Sequence, residues 1–310
     1  MIENELISVV VVSFNSSKFI IETLESIKNQ TYHKIELIVS DDCSNDNTCD
    51  IVKQWIEDNG TRFVRAELLT SEFNSGVSGN MNRGVRYSHG NWIKTIAGDD
   101  LLTPNAIEDF VMYVTTVPDV KMCVCSIEPF SAGKDVDITI INSYSRYFTL
   151  MNEPYEKQLH RVCREMVFPG PGYFYSRSLY DKIGGFSEEY GNFEEWPFVY
   201  KVLRAGEKIF ALQKNLVKYR VSEASLSRSR ENYGLENPNY FFSGYKFFFD
   251  GPYHDLLQQR RYFEALHIAL IYHARKNQYK THNSFLSRMM LYLTIYLSPY
   301  TYIKKMGLIK

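Results

Sequence analysis

The sequence predicts an α/β protein, a mostly parallel central sheet flanked by helices with a helical extension at the C-terminal end. Three observations carry this. Ile7–Ser13 (ISVVVVS) and Ile35–Ser40 (IELIVS) are short runs dominated by β-branched and aliphatic residues, the pattern of strands covered on both faces. Segments between such runs place apolar residues three and four apart, as amphipathic helices do. From about Pro238 onward only the helical spacing recurs.

The elements follow in order. After the first strand, Ser16 or Ser17 is positioned to cap a helix carrying Phe19, Ile20, Leu24 and Ile27. After the second strand, Asn45 or Asp46 is positioned to cap a helix with Ile51, Val52, Trp55 and Ile56 on one side. Phe63–Leu69 reads as a weaker strand, Val77–Tyr87 as a helix and Trp92–Ala97 as a fourth strand. Repeated βαβ units imply right-handed crossovers and parallel pairing. Pro104 opens another helix, and Val120–Ile127 is a further strand. Residues 131–168 show no regular pattern. Gly170-Pro171-Gly172 is a turn, Tyr173–Ser176 a short strand followed by a helix to Ile183, and Pro197 marks the start of another helix. Ile209–Val217 is the last strand of the body. The organisation expected is a body over residues 1–230, divided near residue 128, and a basic, aromatic extension over 231–310.

Composition excludes several classes. The 310 residues are 45% hydrophobic and 23% charged with a net charge of −1, which fits a folded globular chain and argues against wholesale nucleic-acid binding. The balance hides an asymmetry: residues 260–310 hold nine Lys or Arg and a single acid, Glu264. That stretch also carries Leu286, Met289, Met290, Leu293, Leu297 and Tyr300 at helical spacing. A basic amphipathic tail suits an anionic membrane surface, and packing on the body or a second subunit is the alternative. Five cysteines without framework spacing argue against a disulfide scaffold, and Cys123 and Cys125 on one strand read as buried thiols. The start MIENELIS has no basic, apolar leader pattern, and no apolar run reaches about 18 residues, so a cytoplasmic protein is expected.

Ligands of such sheets bind beyond the carboxyl ends of the strands. Polar residues gather there: Ser13 and Asn15 after the first strand, Asp41 and Asp42 after the second, Asp99 and Asp100 after the fourth. Adjacent carboxylates repel, so Asp99-Asp100 invites a divalent cation, with a solvated capping turn as the alternative. Asp41, Asp42, Ser44 and Asp46 form an acidic turn whose carboxylates suit the N–H edge of a base or a ribose hydroxyl, with helix capping by Asp46 as the alternative. Asn74-Ser75-Gly76 at a helix start, with Arg83 on that helix, suits an anion. Glu194-Glu195 at a helix start are carboxylates that the helix dipole favours in ionised form, able to take a proton from a hydroxyl.

Taken in order, VVVVSFN (Val9–Asn15), ELIVSDDCSNDNT (Glu36–Thr48), NSGVSGNMNRGV (Asn74–Val85), AGDD (Ala97–Asp100), GGF (Gly184–Phe186) and FEEW (Phe193–Trp196) resemble glycosyltransferase family 2, inverting nucleotide-sugar transferases of the GT-A fold. The resemblance spans residues 6–230. Each piece is weak alone, and the six in sequence are specific. It implies that Asp41 binds uracil with Ser13 and Asn15 shaping the base pocket, that Asn74 and Arg83 help hold the nucleotide, and that Asp99 holds Mn²⁺ or Mg²⁺ on the diphosphate with Asp100 beside it. Ala97 replaces the first Asp of the family's DxD motif, which leaves fewer ligands. Glu195 falls at the family's catalytic-base position, with Glu194 as acceptor contact or backup base. Ser222 stands where relatives often have His, and Arg220 and Arg228 are the candidates for diphosphate charge.

The QxxRW motif of processive synthases is absent, which favours transfer of one sugar. The implied reaction moves a sugar from a UDP-sugar to a hydroxyl of a glycan or polyprenyl-diphosphate-linked acceptor, of O-antigen or capsule type, with a β-linkage formed. A nucleotidyltransferase and a non-catalytic sugar-nucleotide-binding homologue are the rivals. The first would want a Gly-rich loop after strand one, where SFNSSK stands.

Overall fold

The computed structural model describes residues 5–131, 153–163, 170–191, 193–221, 238–280, 284–297 and 300. The chain divides into two compact units: Met1–Leu159 with Val167–Glu188 and Glu194–Ser222, and His160–Met166 with Glu189–Phe193 and Glu223–Lys310. The division expected near residue 230 lies outside the described residues.

The first unit is built on one sheet. Its strands are β1 (Ile7–Ser13), β2 (Ile35–Asp41), β3 (Arg65–Thr70), β4 (Trp92–Ala97), β5 (Leu101–Leu102), β6 (Met122–Phe130), β7 (Tyr173–Ser176) and β8 (Phe210–Arg220). They lie in the order β3-β2-β1-β4-β7-β6-β8-β5. β1, β2, β3 and β4 are parallel, as the βαβ pattern requires, and β6 and β8 are parallel to each other. The short β7 runs antiparallel between β4 and β6, and β5 is antiparallel to β8. The sheet is therefore mixed at its centre, a feature that hydrophobic runs alone do not reveal.

Alternate residues feed two cores. Ile7, Val9, Val11, Leu37, Val39, Ile96, Cys123 and Cys125 face one side, under α1 (Ile20–Lys28), α2 (Thr48–Asn59) and α4 (Ala106–Thr116). Both thiols are buried there, as their alternate spacing predicts. Trp92, Phe174 and Phe110 stack in this layer with centroids 5.1 and 4.7 Å apart. The opposite face takes α3 (Gly76–Tyr87), whose Gly84 approaches Val10 and Ser40 so closely that a Cβ has no room. The helices α6 (Arg177–Ile183) and α7 (Glu195–Arg204) lie in the same unit, where Phe186 stacks on Phe198 at 4.2 Å beside Tyr175. Ser176 caps α6 by accepting the Leu179 N–H, and Gly184 ends it at φ +70°, which only glycine adopts without cost.

Two capping expectations resolve differently. Ser16 offers its backbone carbonyl, not its hydroxyl, to the start of α1, accepting the N–H groups of Phe19 and Ile20. Asp46 does accept the Thr48 N–H at the start of α2, and it also accepts the Ser17 N–H from the neighbouring loop. Burial pushes its carboxyl up, but the hydrogen bonds from Thr48 and Ser17 outweigh that and hold it at about 2. One further helix, α5 (Tyr155–Val162), follows 131–152 in the chain.

The second unit is helical: α8 (Pro238–Asp250), α9 (Pro252–Gln258), α10 (Tyr262–Lys280) and α11 (Phe285–Leu297). Phe247 meets Tyr190 edge-on, Phe249 stacks on Tyr272 at 4.4 Å, and Ile271, Ala274 and Leu291 bury together. Of the apolar stripe expected for α11, Leu286, Met289, Met290 and Leu293 are exposed, while Leu291 and Ile295 pack inward and Tyr300 meets the His267 ring. No helix among the described residues is long and apolar enough to cross a membrane.

Candidate active site

The strand-end loops are stitched together by their own polar side chains. Asn15 adopts a left-handed backbone (φ +51°), which turns its side chain to accept the Asn45 N–H, while its own N–H donates to the Ser44 hydroxyl, each at 2.8 Å. Asp41 is fully buried at the end of β2. It accepts the Ser13 hydroxyl at 2.8 Å, the Ser44 N–H at 2.8 Å and the Ser44 hydroxyl at 2.6 Å. The Cys49 thiol also hydrogen-bonds this carboxyl group, so Asp41 ties β1, the loop after β2 and α2 together. Beside this floor Phe14 is 46% exposed, an aromatic face in open position at the end of β1.

Arg83 lies behind this loop system and binds protein groups. It donates to the Ser40 hydroxyl, the Asp41 carbonyl, Asp42 and Asn80, and Asp42 also accepts the Ser75 N–H and hydroxyl. Its guanidinium fastens α3 to the end of β2. Asn74 is exposed and accepts the Gly76 N–H at 3.0 Å. Asp42 and Ser44, members of the acidic turn that the sequence marks, and Asn80 of α3, which no sequence pattern marks, complete the arrangement.

Asp99 and Asp100 follow β4, and the turn is held from β8. The Arg220 N–H donates to Asp100 Oδ1 at 2.8 Å, and its guanidinium donates to the Asp99 carbonyl and to Glu22, both at 2.8 Å. The same guanidinium sits between the rings of Phe19 and Phe130, 4.4 and 4.5 Å from their centroids. Asp100 is 1% exposed, and its Oδ2 is buried with no hydrogen-bond partner. Burial, reinforced by the Asp99 charge, pushes the Asp100 carboxyl well above the usual range, and burial raises Asp99 too. Such a turn fits a divalent cation: it offers two carboxylates and an acceptor oxygen with nothing to accept from. Among the described residues no third His, Cys, Asp or Glu joins them. A cation here would complete its shell from substrate oxygens and water. Arg228 lies outside the described residues.

The Gly170-Pro171-Gly172 turn cradles Glu195. The Gly170 N–H donates to Glu195 Oε1 at 3.0 Å, and a Cβ on Gly170 would overlap that carboxyl group. The Tyr173 hydroxyl reaches the Glu195 carbonyl at 3.4 Å. Glu194 is the N-cap residue of α7 and Glu195 its first residue, two positions before Pro197. The helix dipole was expected to favour their ionised forms. Burial wins instead. It pushes Glu194 well above the usual range, helped by the Glu195 charge, and raises Glu195 to about 7 against the pull of the Gly170 N–H. A carboxyl poised near neutrality suits a general base.

The antiparallel β7 explains how these groups share one edge. Lys94 on β4 is opposite Phe174 on β7. Since the strands run in opposite directions, the start of β7 and the turn before it lie at the end where β4 delivers Asp99 and Asp100. Gly170→Ala is accordingly expected to leave the fold intact and displace only the flexible Glu195 side chain. Turnover should fall by about 100-fold, the cost of misplacing a reacting group by about 1 Å, at an unchanged melting temperature.

Comparison with known proteins bears on this arrangement directly. The family model for glycosyl transferase family 2 matches residues 8–184, more than half of the chain. The chain belongs to glycosyl transferase family 2. It is 32% identical over 143 residues to glycosyltransferase GlyG of Streptococcus pneumoniae, covering 46% of this chain and 40% of that one. It is 32% identical over 106 residues to the Escherichia coli UDP-Glc:alpha-D-GlcNAc-diphosphoundecaprenol beta-1,3-glucosyltransferase WfgD, covering 34% of this chain and 40% of that one. The chain thus spans about two fifths of the length of these relatives. The crystal structure of Staphylococcus aureus TarS 1–349 with UDP-GlcNAc matches with a TM-score of 0.64 at 17% identity, covering 93% of this chain and 79% of that one. The fold of this family 2 glycosyltransferase is the GT-A fold.

Proposed function

We propose that this family 2 glycosyltransferase moves one sugar from a UDP-sugar to a hydroxyl of a glycan or polyprenyl-diphosphate-linked acceptor, with inversion, in O-antigen or capsule synthesis. The observation that carries the reading is the Gly170 N–H bond to Glu195 Oε1, which aims a carboxyl titrating near 7 from the turn that precedes β7. Asp41 contributes an acceptor carboxyl group for the base, Phe14 a stacking face, and Ser13 and Asn15 the pocket wall. Asn74 stands at the loop before α3, and Arg83 acts through Asp42 by holding that loop. Residues 1–128 serve the donor and 129–230 the acceptor.

In the reaction, Glu195 takes the proton of the acceptor hydroxyl as the oxygen bonds to the anomeric carbon. The bond from that carbon to the diphosphate oxygen breaks on the opposite face, so an α-linked donor gives a β-glycoside. Glu194 orients the acceptor. Arg220 keeps Asp99 and Asp100 in place by gripping their backbone and Oδ1, and Arg228 is the further candidate for the diphosphate. Asp99, beside Asp100, would hold Mn²⁺ or Mg²⁺, which would supply positive charge against the leaving diphosphate.

The donor class is supported by the names of the relatives: WfgD carries UDP-Glc in its name, and TarS was solved with UDP-GlcNAc. The test is release of UDP from a panel of UDP-glucose, UDP-galactose and their N-acetyl forms, with and without acceptor. Release from at least one, accelerated by a lipid-diphosphate sugar, is the expected result. Uptake of a sugar 1-phosphate with UTP, and no release, would favour the nucleotidyltransferase instead, and binding without turnover the non-catalytic homologue.

The outward stripe of α11 supports docking on the inner face of the cytoplasmic membrane, its apolar side chains at the acyl boundary and Arg288 and Lys280 toward anionic headgroups. Replacing Phe285, Leu286 and Met290 by Ser in the full chain is expected to abolish flotation with liposomes containing anionic phospholipid. Unchanged flotation, with loss of a dimer in solution, would assign the stripe to a second subunit.

A further inference from the structure

Lys94 stands in the middle of β4, an apolar strand of the sheet's interior, and is completely buried. Its strand neighbours on the same face, Trp92 and Ile96, belong to the hydrophobic core, as do Cys123, Cys125 and Phe174 beside it. A lysine in such a place loses its hydration and returns nothing by packing that a methionine would not, so its ammonium must be held by acceptors. Two are present: the Thr95 carbonyl of its own strand and the Pro171 carbonyl, at 2.8 Å. Pro171 is the centre of the turn whose preceding residue, Gly170, donates to Glu195.

The geometry points to Lys94 as the positioning residue for Glu195: its ammonium clamps the Pro171 carbonyl to β4 and so fixes the Gly170 N–H that aims the carboxyl. This rests on the reading of Glu195 as the base. The clamp also ties the two halves of the candidate site together, because the strand that carries Lys94 ends in Asp99 and Asp100. The ammonium additionally faces the buried Asp100 carboxyl and the thiols of Cys123 and Cys125, which oppose the downward push that burial exerts on it. Gly172 fixes the far side of the turn, since a Cβ there would press on the Cys125 carbonyl at 2.7 Å. With Gly172 seated on β6 and Pro171 held from β4, the turn has no freedom to carry Glu195 away.

The test compares wild type with Lys94→Met, which keeps length and apolar bulk, and Lys94→Gln, which keeps a donor. The probes are UDP-glucose and UDP-GlcNAc, followed by UDP release, and amide exchange in the peptide spanning Gly170–Tyr175. In Lys94→Met the turnover number is expected to fall by about 10–100-fold, as for a reacting group that has lost its aim. KM for the sugar nucleotide should stay within about twofold. The acid limb of the turnover profile should move to higher pH, because the N–H that stabilises the charged carboxylate is no longer held. Exchange at Gly170–Tyr175 should rise, and Lys94→Gln should fall between the two. A folded Lys94→Met with the wild-type acid limb and wild-type exchange would overturn the assignment, whatever its turnover. Should Lys94→Met not fold, Lys94→Gln alone decides by the same two readouts. If the wild type releases UDP from neither nucleotide, the donor reading fails, and the exchange data still decide whether Lys94 holds the turn.

Discussion

Glu195→Gln is expected to lower the turnover number by about 10²–10⁴-fold, the range a positioned general base contributes, with KM for the sugar nucleotide little changed. Gln keeps an oxygen for the Gly170 N–H and nearly the same volume, so the turn before β7 and the start of α7 should be undisturbed. The wild-type profile should rise from pH 6 to pH 8 with an apparent midpoint near 7, because burial raises the Glu195 carboxyl to that value from its ordinary 4.5. The stability consequence has the opposite sense. A carboxyl whose folded value is raised stabilises the protein fully below its unfolded value, and that contribution is lost as pH rises through the folded one. Above pH 7 the wild type holds a partly buried charge that the Gln variant lacks. The variant's melting temperature should therefore exceed the wild type's at pH 8, with the gap closing below pH 4.5. Calorimetric melts at pH 4, 6 and 8 beside steady-state UDP release check both halves. A variant that keeps full turnover would remove Glu195 from the chemistry.

The sequence made the parallel half of the sheet legible because that half obeys local rules. Ile7–Ser13 and Trp92–Ala97 form strands with the bounds that their apolar runs suggest, and Tyr173–Ser176 does so despite its four residues. The direction of β7 was not legible. Four residues, YFYS, have no polarity of pattern, and antiparallel pairing with β4 and β6 is decided by where the chain returns. The candidate site was legible only as residue types at strand ends, since buried acids beside apolar runs are costly without a purpose. Its wiring was not. Arg83 and Arg220 carry guanidinium groups whose protein partners no string of letters shows: Arg83 holds the Asp42 carboxylate, and Arg220 holds the Asp99 carbonyl and Glu22. Glu195 looks like a carboxylate favoured by its helix, yet burial sets its titration. Lys94 went unmarked as the lone cation in WIKTIA, because only the fold brings the Pro171 carbonyl against it.

Asp99→Asn should have an effect on turnover at least as large, for a different reason. Asp99 and Asp100 are adjacent, both raised by burial, with Asp100 further raised by the Asp99 charge. The fold tolerates this repulsion with the Arg220 N–H on Asp100 Oδ1 and the Arg220 guanidinium on the Asp99 carbonyl, and Asp100 Oδ2 still accepts from nothing. Removing the Asp99 charge relieves the repulsion, so the variant without added metal should melt at the wild-type temperature or above it. A turn kept only for folding would show the same relief at no cost in activity. A turn kept for a divalent cation behaves otherwise. Ligand that binds the native state alone stabilises it by about 2.7 kcal/mol at 100 times its dissociation constant. Wild type titrated with MnCl₂ in the presence of UDP should therefore gain several degrees in melting temperature and lose them to EDTA, while Asp99→Asn gains little. UDP release should fall in the variant by about 10³-fold, on the order of a lost electrostatic anchor for the leaving group. Equal manganese stabilisation in the two proteins would move the cation to other ligands. Full turnover in the variant would leave Asp99 as a structural residue of the β4 turn and require another source of charge for the departing diphosphate.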